Sequence, residues 1–316
     1  MSARAAEETP GPAREASVLA GVWRVADPKI TLASVSSMIL GASVAAWQGP
    51  LSWPWLALTV LGIFCIEAAK NASGEIFDWD SGADVGLKPD ERTPFSGGKR
   101  VLVDGLMTRR QCAIVAAVFY AVGIGAGLAI VVLRERGVLT LGVIGVALAF
   151  FYHAPPLSLA YRGLGEVAVA VAYGPVIACG TYLVQRHAVS AEVILASLPL
   201  GLLITSFLWI NEFPDARADA EAGKRTLVVR LGRARAARVF MAVVIVAYLM
   251  LALLPLSGLP HGVWGGFVGL PFALRAAARL LKHHDNPAEL VPAQASTLIS
   301  FVLLSLGAGL GIVVFG

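Results

Sequence analysis

The sequence predicts an all-α protein, a polytopic membrane bundle of nine transmembrane helices. Composition is the first observation behind this prediction, because 57% of the 316 residues are hydrophobic, only 15% are charged and the mean hydropathy is +0.74. Soluble domains carry about a quarter charged residues. The second observation is a series of long apolar segments, and the third is the one-sided distribution of Lys and Arg between them.

The chain begins with a polar stretch and continues into the apolar segments. Residues 1–24 open with mixed charges, Pro and Gly and lack the basic-then-apolar layout of a signal peptide, so we expect a disordered cytosolic tail. Residues 25–316 are expected to form a single transmembrane domain. A span needs about 20 mostly apolar residues. The segments that reach or approach this length are 31–48, 52–74, 111–133, 138–153, 165–184, 190–211, 235–256, 262–281 and 294–315.

The Lys and Arg residues predict the orientation of these spans. With the N-terminus in the cytosol, 21 of the 25 fall in the tail and the cytosolic loops, whereas Arg134, Arg136 and Arg186 fall in outside loops and Lys70 lies within the second span. Cytosolic loops of membrane proteins carry an excess of these residues. We therefore expect a multi-pass protein of a prokaryotic cell membrane, with its N-terminus inside and its C-terminus outside.

Two long cytosolic loops, 78–110 and 212–234, follow the second and sixth spans and carry similar charges. Each pattern opens with Glu-x-x-Asp, continues to a further Asp and closes with Gly-Lys-Arg. The members are Glu75, Asp78, Asp84 and 98–100 in the first copy, and Glu212, Asp215, Asp219 and 223–225 in the second. Because the copies lie four spans apart, they predict an internal duplication, with two four-helix repeats plus a ninth helix.

Carboxylates and cations at one membrane face indicate a particular kind of ligand. A charged side chain costs about 2.5–3.5 kcal/mol at the bilayer centre on insertion scales, so these acids belong near the interface, facing water or a polar cavity. Clusters of oxygen ligands suit Mg²⁺, which keeps waters and bridges to phosphates, while Lys and Arg bind phosphate directly. The pattern favours a diphosphate held by Mg²⁺, with a lipid tail in the bundle, over helix ends that are merely capped by acids.

The chain resembles the UbiA-type intramembrane prenyltransferases. The resemblance lies in ADVGLKPDERTPFSGGKRVLVDGL, NEFPDARADAEAGKRTLVVRLG and FYHAPPLSLAYRGLGE, which are most similar to the branch that contains 1,4-dihydroxy-2-naphthoate polyprenyltransferase. This resemblance implies a fold of nine spans and an activity in which Mg²⁺ and an isoprenyl diphosphate are bound and the prenyl group passes to an acceptor. The first motif of that family usually opens with Asn, where this chain has Gly74. Asn71, one helical turn upstream, could supply an amide from the same face.

The residues and the resemblance together define an expected site. The expected metal ligands are Glu75, Asp78, Asp84, Glu212, Asp215 and Asp219. The expected diphosphate ligands are Asn71, Lys99, Arg100, Tyr152, Arg162, Lys224 and Arg225, and the residues expected to be central to catalysis are Asp78, Asp215 and Arg162. Ring faces that could line the tail pocket and stabilise a carbocation belong to Phe151, Tyr152, Phe207 and Trp209. The expected packing residues are His153 and the cysteines Cys65, Cys112 and Cys179.

The predicted function is Mg²⁺-dependent transfer of a prenyl group from an isoprenyl diphosphate to an aromatic quinone precursor such as 1,4-dihydroxy-2-naphthoate, as in menaquinone biosynthesis. Prenyl transfer to a lipid and terpenoid cyclisation are alternatives within the enzymes, and an ion-coupled transporter is the alternative from another class. Many transporters have inverted repeats with substrate sites near the bilayer midplane. The repeats here are parallel and their acids lie at one face, which disfavours a transporter, and no nucleic-acid partner is expected.

Overall fold

The computed structural model describes residues 18–316, apart from the side chains of residues 28–30, and every regular element in that range is helical. The helices are α1 (Val18–Ala26), α2 (Pro28–Gln48), α3 (Trp53–Ser81), α4 (Arg109–Leu133), α5 (Val138–Phe151), α6 (Gly165–Val171), α7 (Ile177–Arg186), α8 (Ala191–Glu221), α9 (Leu227–Leu231), α10 (Arg233–Leu253), α11 (Leu270–His283) and α12 (Val291–Phe315).

The predicted tail is too long, because α1 begins at Val18. This short helix packs on α3, and its Val25 is fully buried in a small cluster with Ala72, Val101 and Met107. The sequence VLAGVWRVA is apolar enough to be stabilised by that burial, which local composition alone did not show. The remaining part of the predicted tail, residues 1–17, lies outside the described residues.

Six helical segments are long and apolar enough to cross a membrane: Trp53–Ser81, Arg109–Leu133, Gly165–Arg186, Ala191–Glu221, Arg233–Ser257 and Pro287–Phe315. A seventh results if Val18–Ala26 and Thr31–Gln48, which meet at a 44° bend, form one span. Two predicted spans do not qualify. Helix α5 has only 14 residues, and the segment predicted at 262–281 begins as the 3₁₀ helix His261–Gly269 before α11. The described residues thus confirm a multi-pass helical protein, without confirming nine spans.

The acidic motifs lie on helices, where the sequence predicted loops. Helix α3 continues seven residues past the predicted end of its span, and α8 continues ten residues past its predicted end. Helix α3 ends at Gly82, which adopts a left-handed conformation with φ of 82°, the usual way for a glycine to close a helix. The carboxylates of each motif therefore have fixed positions on a helix, except Asp84, which lies beyond the end of α3.

The helix between residues 165 and 186 is broken near its middle. A π-helical turn, Ala172–Val176, contains Pro175, and Gly174 departs from helical geometry with ψ of −105°. A Cβ atom on Gly174 would lie 3.2 Å from the Cα atom of Gly201 in α8. Pro removes a backbone donor and π turns interrupt the hydrogen-bond ladder, so α6 and α7 lean differently on α8.

The largest hydrophobic core surrounds α8 and extends to α2, α10, α11 and α12, with Phe213, Phe240 and Phe301 among its fully buried side chains. The three cysteines, Cys65, Cys112 and Cys179, are buried and free, as expected for packing residues. The core side chains hold α8 against its neighbours, and this packing fixes the position of the second acidic motif.

Candidate functional site

The two acidic motifs meet at one end of the bundle, where a single lysine bridges them. The Nζ atom of Lys224 lies 3.9 Å from Oδ1 of Asp78 on α3 and 3.6 Å from Oδ1 of Asp219 on α8. Lys224 stands on the turn directly after α8, and its backbone N–H donates to the Asp219 carbonyl at 2.7 Å. We call Asp78, Asp84, Asp215 and Asp219 the acidic cluster.

Asp84 joins this cluster from the loop after α3. Its buried carboxylate lies against Gly98, where a Cβ atom would approach Oδ1 to 2.3 Å, and φ of Gly98 is +70°, so the position requires glycine. Burial, followed by the like charges of Asp78 and Glu75, raises the pKa of Asp84 to about 8, although Lys224 opposes this shift. The carboxylates thus outnumber the ammonium that bridges them, which favours the entry of a further cation.

Lys224 is itself strongly stabilised as a cation. Burial alone would lower the pKa of its ammonium, but the carboxylates of Asp219 and Asp78 outweigh burial and raise that pKa well above its usual range. The side chain also lies over the ring of Tyr161, at 5.6 Å from the centroid. Lys224 therefore presents a fixed positive charge at the centre of the site.

A backbone segment, residues 97–101, ties α3 to α8 and is called here the strap. The Gly97 N–H donates to Oδ2 of Asp215 at 3.1 Å. At its other end, the N–H groups of Lys99 and Val101 donate to the two carboxylate oxygens of Glu75, at 2.8 and 2.6 Å. Both oxygens of Glu75 are thus used by the strap, so this residue positions the loop and is less suited to bind a metal than the sequence suggested.

Two residues of the site were missed or undervalued at the level of sequence. The Tyr161 hydroxyl donates to Oδ1 of Asp78 at 2.6 Å and lies 2.7 Å from the Ser81 hydroxyl. The Nε2 atom of His153 lies 3.6 Å from Oδ2 of Asp78. No sequence signal distinguishes Tyr161 from other tyrosines, whereas His153 was noticed and interpreted as a packing residue.

The predicted phosphate-binding cations are mostly placed elsewhere. Lys99 is ion-paired with Asp27, and the Arg100 guanidinium donates to the Asp84 carbonyl at 3.2 Å and to Asp104 at 3.3 Å. The Arg225 side chain is exposed, and only its backbone N–H contacts the site, through the Tyr161 carbonyl at 3.1 Å. In the described part of the chain, Lys224 is the one predicted cation whose side chain lies among the carboxylates of the acidic cluster.

Arg162 and Asn71 also have other partners. The Arg162 side chain is exposed and donates to the Pro156 carbonyl at 2.8 Å, and within the described residues it forms no contact with the acidic cluster. The amide of Asn71 donates to the Val25 carbonyl at 2.9 Å and so holds α1 on α3. The sequence selected Arg162 because it is the one cation in its loop, but its neighbour Tyr161 reaches Asp78.

The remaining predicted residues surround the cluster. Glu212 is buried opposite Glu166 of α6, whose Oε1 accepts the Leu227 N–H at 2.6 Å. Phe207 packs against Phe95 and Phe301, and Trp209 is buried in the same core. Phe151 and Tyr152 line an apolar cavity of about 550 Å³ between α3, α4, α5 and the broken helix.

The donor set of the cluster fits a hydrated divalent cation. Oδ1 of Asp215 is buried without a hydrogen-bond partner, and so is Oε2 of Glu212. Within residues 18–316, no three Asp, Glu, His or Cys side chains are placed so that they could hold one metal ion together. Mg²⁺ seldom occupies an all-protein cage and usually keeps waters and substrate phosphates among its ligands, so it can be bound by one or two of these carboxylates together with a diphosphate.

Comparison with known proteins shows which family the chain belongs to. A family model described as "UbiA prenyltransferase family" matches residues 34–298. The chain is 30% identical to 1,4-dihydroxy-2-naphthoate octaprenyltransferase of Mycobacterium tuberculosis over 92% of this chain and 96% of the relative. It is 28% identical to the enzyme of the same name from Escherichia coli, over 90% and 92%.

A solved structure has the same fold. A UbiA homolog from Archaeoglobus fulgidus bound to GPP and Mg²⁺ superposes with a TM-score of 0.61 at 16% sequence identity, over 91% of this chain and 99% of that one.

Proposed function

Because this chain belongs to the UbiA prenyltransferase family, and is therefore a membrane-embedded transferase of prenyl groups, we propose that it joins an isoprenyl diphosphate to 1,4-dihydroxy-2-naphthoate with the help of Mg²⁺. The observation that carries the proposal is the convergence of two acidic helices on Lys224. The relatives in M. tuberculosis and E. coli, which match along most of their length, support the choice of acceptor.

The acidic cluster is the proposed metal site. Asp78, Asp84, Asp215 and Asp219 would hold Mg²⁺, with Glu75 and Glu212 supporting them. When bound, the metal neutralises negative charge that develops on the leaving diphosphate. The unpartnered oxygen of Asp215 and the raised pKa of Asp84 support this role, because each would gain from a cation at that point.

The chain's own groups bind and orient the diphosphate. Lys224 is the proposed direct phosphate contact, since it already lies between the two motifs. Tyr161 orients the carboxylate of Asp78 through a 2.6 Å hydrogen bond, and the strap covers the cluster. As the bond from the prenyl carbon to the diphosphate oxygen breaks, its electron pair leaves with the diphosphate, and the acceptor ring supplies the electron pair of the new carbon–carbon bond. The attacked ring carbon then loses its proton or carboxyl group, which restores the aromatic ring.

Arg162 is removed from the proposed diphosphate ligands. Its side chain is exposed and bonded to the Pro156 carbonyl, whereas the adjacent Tyr161 contacts the cluster. The kinetic consequence is that a Lys224→Met variant should raise the KM for the prenyl diphosphate more than Arg162→Ala does.

The proposal includes nine spans in two four-helix repeats plus one, with the N-terminus and the site at the cytosolic face. The 3₁₀ segment His261–Gly269 continues directly into α11, so residues 261–283 form one helical stretch. A 3₁₀ helix rises about 2 Å per residue, which lengthens that stretch. The distribution of Lys and Arg supports the orientation.

The test is turnover of a labelled isoprenyl diphosphate by the purified full chain in bilayer nanodiscs. We expect product with 1,4-dihydroxy-2-naphthoate, none in excess EDTA, and recovery on adding Mg²⁺. A product formed with a glycerophosphate lipid alone would assign a lipid acceptor, and a hydrocarbon formed without acceptor would assign cyclisation. Either of those results contradicts the proposed acceptor.

A further inference from the structure

Lys70 is a lysine inside a membrane helix, and its ammonium has no polar partner among the described residues. It lies on α3, and in the described part of the chain its Nζ atom makes no hydrogen bond or ion pair. This atom lies over the ring of Tyr152, at 5.2 Å from the centroid. The other lysines near the site are paired, Lys99 with Asp27 and Lys224 with Asp78 and Asp219. An ionisable side chain within a membrane span usually marks a functional site.

The acids around Lys70 are already occupied. Glu67, one turn earlier on α3, accepts the hydroxyl of Tyr173 at 2.7 Å and that of Ser34 at 2.7 Å. Asp27 is paired with Lys99, and Asp78 accepts the Tyr161 hydroxyl. These carboxylates lower the cost of a positive charge nearby without contacting it, so the ammonium of Lys70 keeps all three of its donors available.

Lys70 lines the apolar cavity of about 550 Å³. The walls are aliphatic and aromatic, with Ile63 and Ile66 on one side and Val131, Leu141 and Val176 on the others. Small-molecule sites typically measure roughly 300–1,000 Å³ and combine apolar walls with a few polar groups that fix orientation. Lys70, Glu67 and Tyr173 are such groups at this cavity.

The wall of the cavity includes Lys70, which lies on the same face of α3 as Asp78 of the acidic cluster. Lys70, Gly74 and Asp78 follow one another at intervals of four residues, so they share that face. At 1.5 Å per residue, Lys70 lies about 12 Å from Asp78 along the helix axis. Tyr152 and His153 cover the gap, their rings 4.7 Å apart, and a Cβ atom on Gly74 would lie 2.7 Å from the His153 ring.

We propose that Lys70 and this cavity form the acceptor site, in which the ammonium binds the carboxylate of a planar aromatic acid. The aromatic body lies against Tyr152 and the apolar walls and extends toward the acidic cluster. A hydrocarbon tail forms no favourable polar interaction with an ammonium group. An aromatic carboxylate has the opposite charge to Lys70, and its ring can pack against the apolar walls. The identity of the acceptor as a naphthoate rests on the proposed function. The carboxylate site itself rests on Lys70 and the cavity that it lines.

Binding of an unreactive probe tests the site without catalysis. The full chain in nanodiscs is titrated with 2-naphthoate and with its neutral isostere 2-naphthamide, without prenyl diphosphate or metal. We expect the wild type to bind 2-naphthoate about tenfold or more tightly than 2-naphthamide, the effect of a charge-assisted hydrogen bond in an apolar setting. In Lys70→Met this preference disappears while 2-naphthamide binds as before. Equal affinities in the wild type overturn the proposal, whichever variants fold.

Kinetics separate this role from the diphosphate site. Lys70→Met should raise the KM for 1,4-dihydroxy-2-naphthoate by about tenfold or more and leave the KM for the prenyl diphosphate unchanged, and Lys70→Arg should recover part of the loss. Lys224→Met is the matched control and should show the opposite pattern.

A different outcome would assign Lys70 as a counter-charge for Glu67. In that case Lys70→Met loses thermal stability, Glu67→Gln restores it in the double variant, and 2-naphthoate binds the double variant as it binds the wild type. That result overturns the acceptor site. If instead the wild type prenylates no acceptor but retains its preference for 2-naphthoate, the proposed function fails and the carboxylate site stands.

Discussion

At the scale of single residues, the site depends on a few buried polar atoms with defined partners. Lys224 is shared by two carboxylates from different helices, and Tyr161 holds one of them. Asp80 has the same charge and lies on the same helix as Asp78, but it pairs with Arg109 at the surface, at 2.7 Å, with 45% of its side chain exposed. Position on the helix face therefore separates functional acids from surface acids.

Asp78→Ala and Asp215→Ala should each reduce prenyl transfer by about 100-fold or more, the loss expected when a preorganised electrostatic group is removed. Asp80→Ala is the matched control and should stay within a few-fold of the wild type. The measurement is kcat/KM with a labelled isoprenyl diphosphate. Both variants should remain folded, because Lys224 keeps Asp219 as a partner and like-charge repulsion in the cluster offsets part of the contacts that are lost. A double Asp78→Ala, Asp215→Ala variant with normal turnover would contradict the metal assignment.

Gly74 is required by the ring of His153, which fills the space of a side chain at position 74. Gly74→Ala should destabilise the protein by about 1–3 kcal/mol through overpacking, and His153→Ala in the same chain should restore much of that loss. Gly125→Ala is the control, since Gly125 lies in α4 with open space around it. Thermal unfolding in detergent measures the loss of stability in Gly74→Ala and its recovery in the double variant. Equal melting temperatures for Gly74→Ala and wild type would show that the ring moves freely.

At the scale of elements, the strap converts two separate helix ends into one site. Residues 97–101 give backbone N–H groups to Glu75 on α3 and to Asp215 on α8. Gly97 and Gly98 both have positive φ, of +90° and +70°, which lets the chain turn closely against the carboxylates. The Gly-Lys-Arg repeat of the sequence therefore has different roles in its two copies: a backbone strap in the first and the bridging Lys224 in the second.

Glu75→Ala should loosen the strap, because it removes the acceptor of two charge-assisted hydrogen bonds, each worth about 1.5–3 kcal/mol. Trypsin cleaves after Lys and Arg, so Lys99 and Arg100 report directly on strap opening. We expect cleavage there to accelerate about tenfold or more in Glu75→Ala. Asp80→Ala, on the same helix, should leave the rate unchanged. An unchanged rate in Glu75→Ala would show that the strap is held by other contacts.

At the scale of the whole molecule, the site lies at one end of a helical bundle, with an apolar cavity beside it. Asp78, Asp215 and Asp219 of the cluster lie on extensions of α3 and α8 beyond their apolar parts, and Asp84 follows the end of α3. The cavity lies along the apolar part of α3, beside Lys70. The proposed function uses this division, with the diphosphate at the polar end and apolar substrate groups within the bundle.

The proposed orientation can be measured by cysteine labelling. The three native cysteines are buried, so a single introduced cysteine should dominate the signal. Arg136→Cys, at an exposed position between α4 and α5, should react with a membrane-impermeant maleimide added to intact cells, and Asp90→Cys should react only after permeabilisation. The reverse pattern would place the acidic cluster outside the cell.

The sequence alone determined the helical membrane class, the two acidic motifs and the family. These features depend on composition, hydrophobic length and residues at short, fixed spacing, all of which are local. The pairing of Asp78 and Asp219 through Lys224, by contrast, joins residues more than a hundred positions apart.

Only the tertiary structure decided which side chains face the site. Arg162 and Tyr161 are neighbours in sequence, yet Tyr161 contacts Asp78 whereas Arg162 points to solvent. The helix start at Val18 and the position of Lys70 over the ring of Tyr152 also depend on distant contacts. A charge pattern in sequence identifies the residues that can bind a diphosphate, but packing between helices selects those that can reach it.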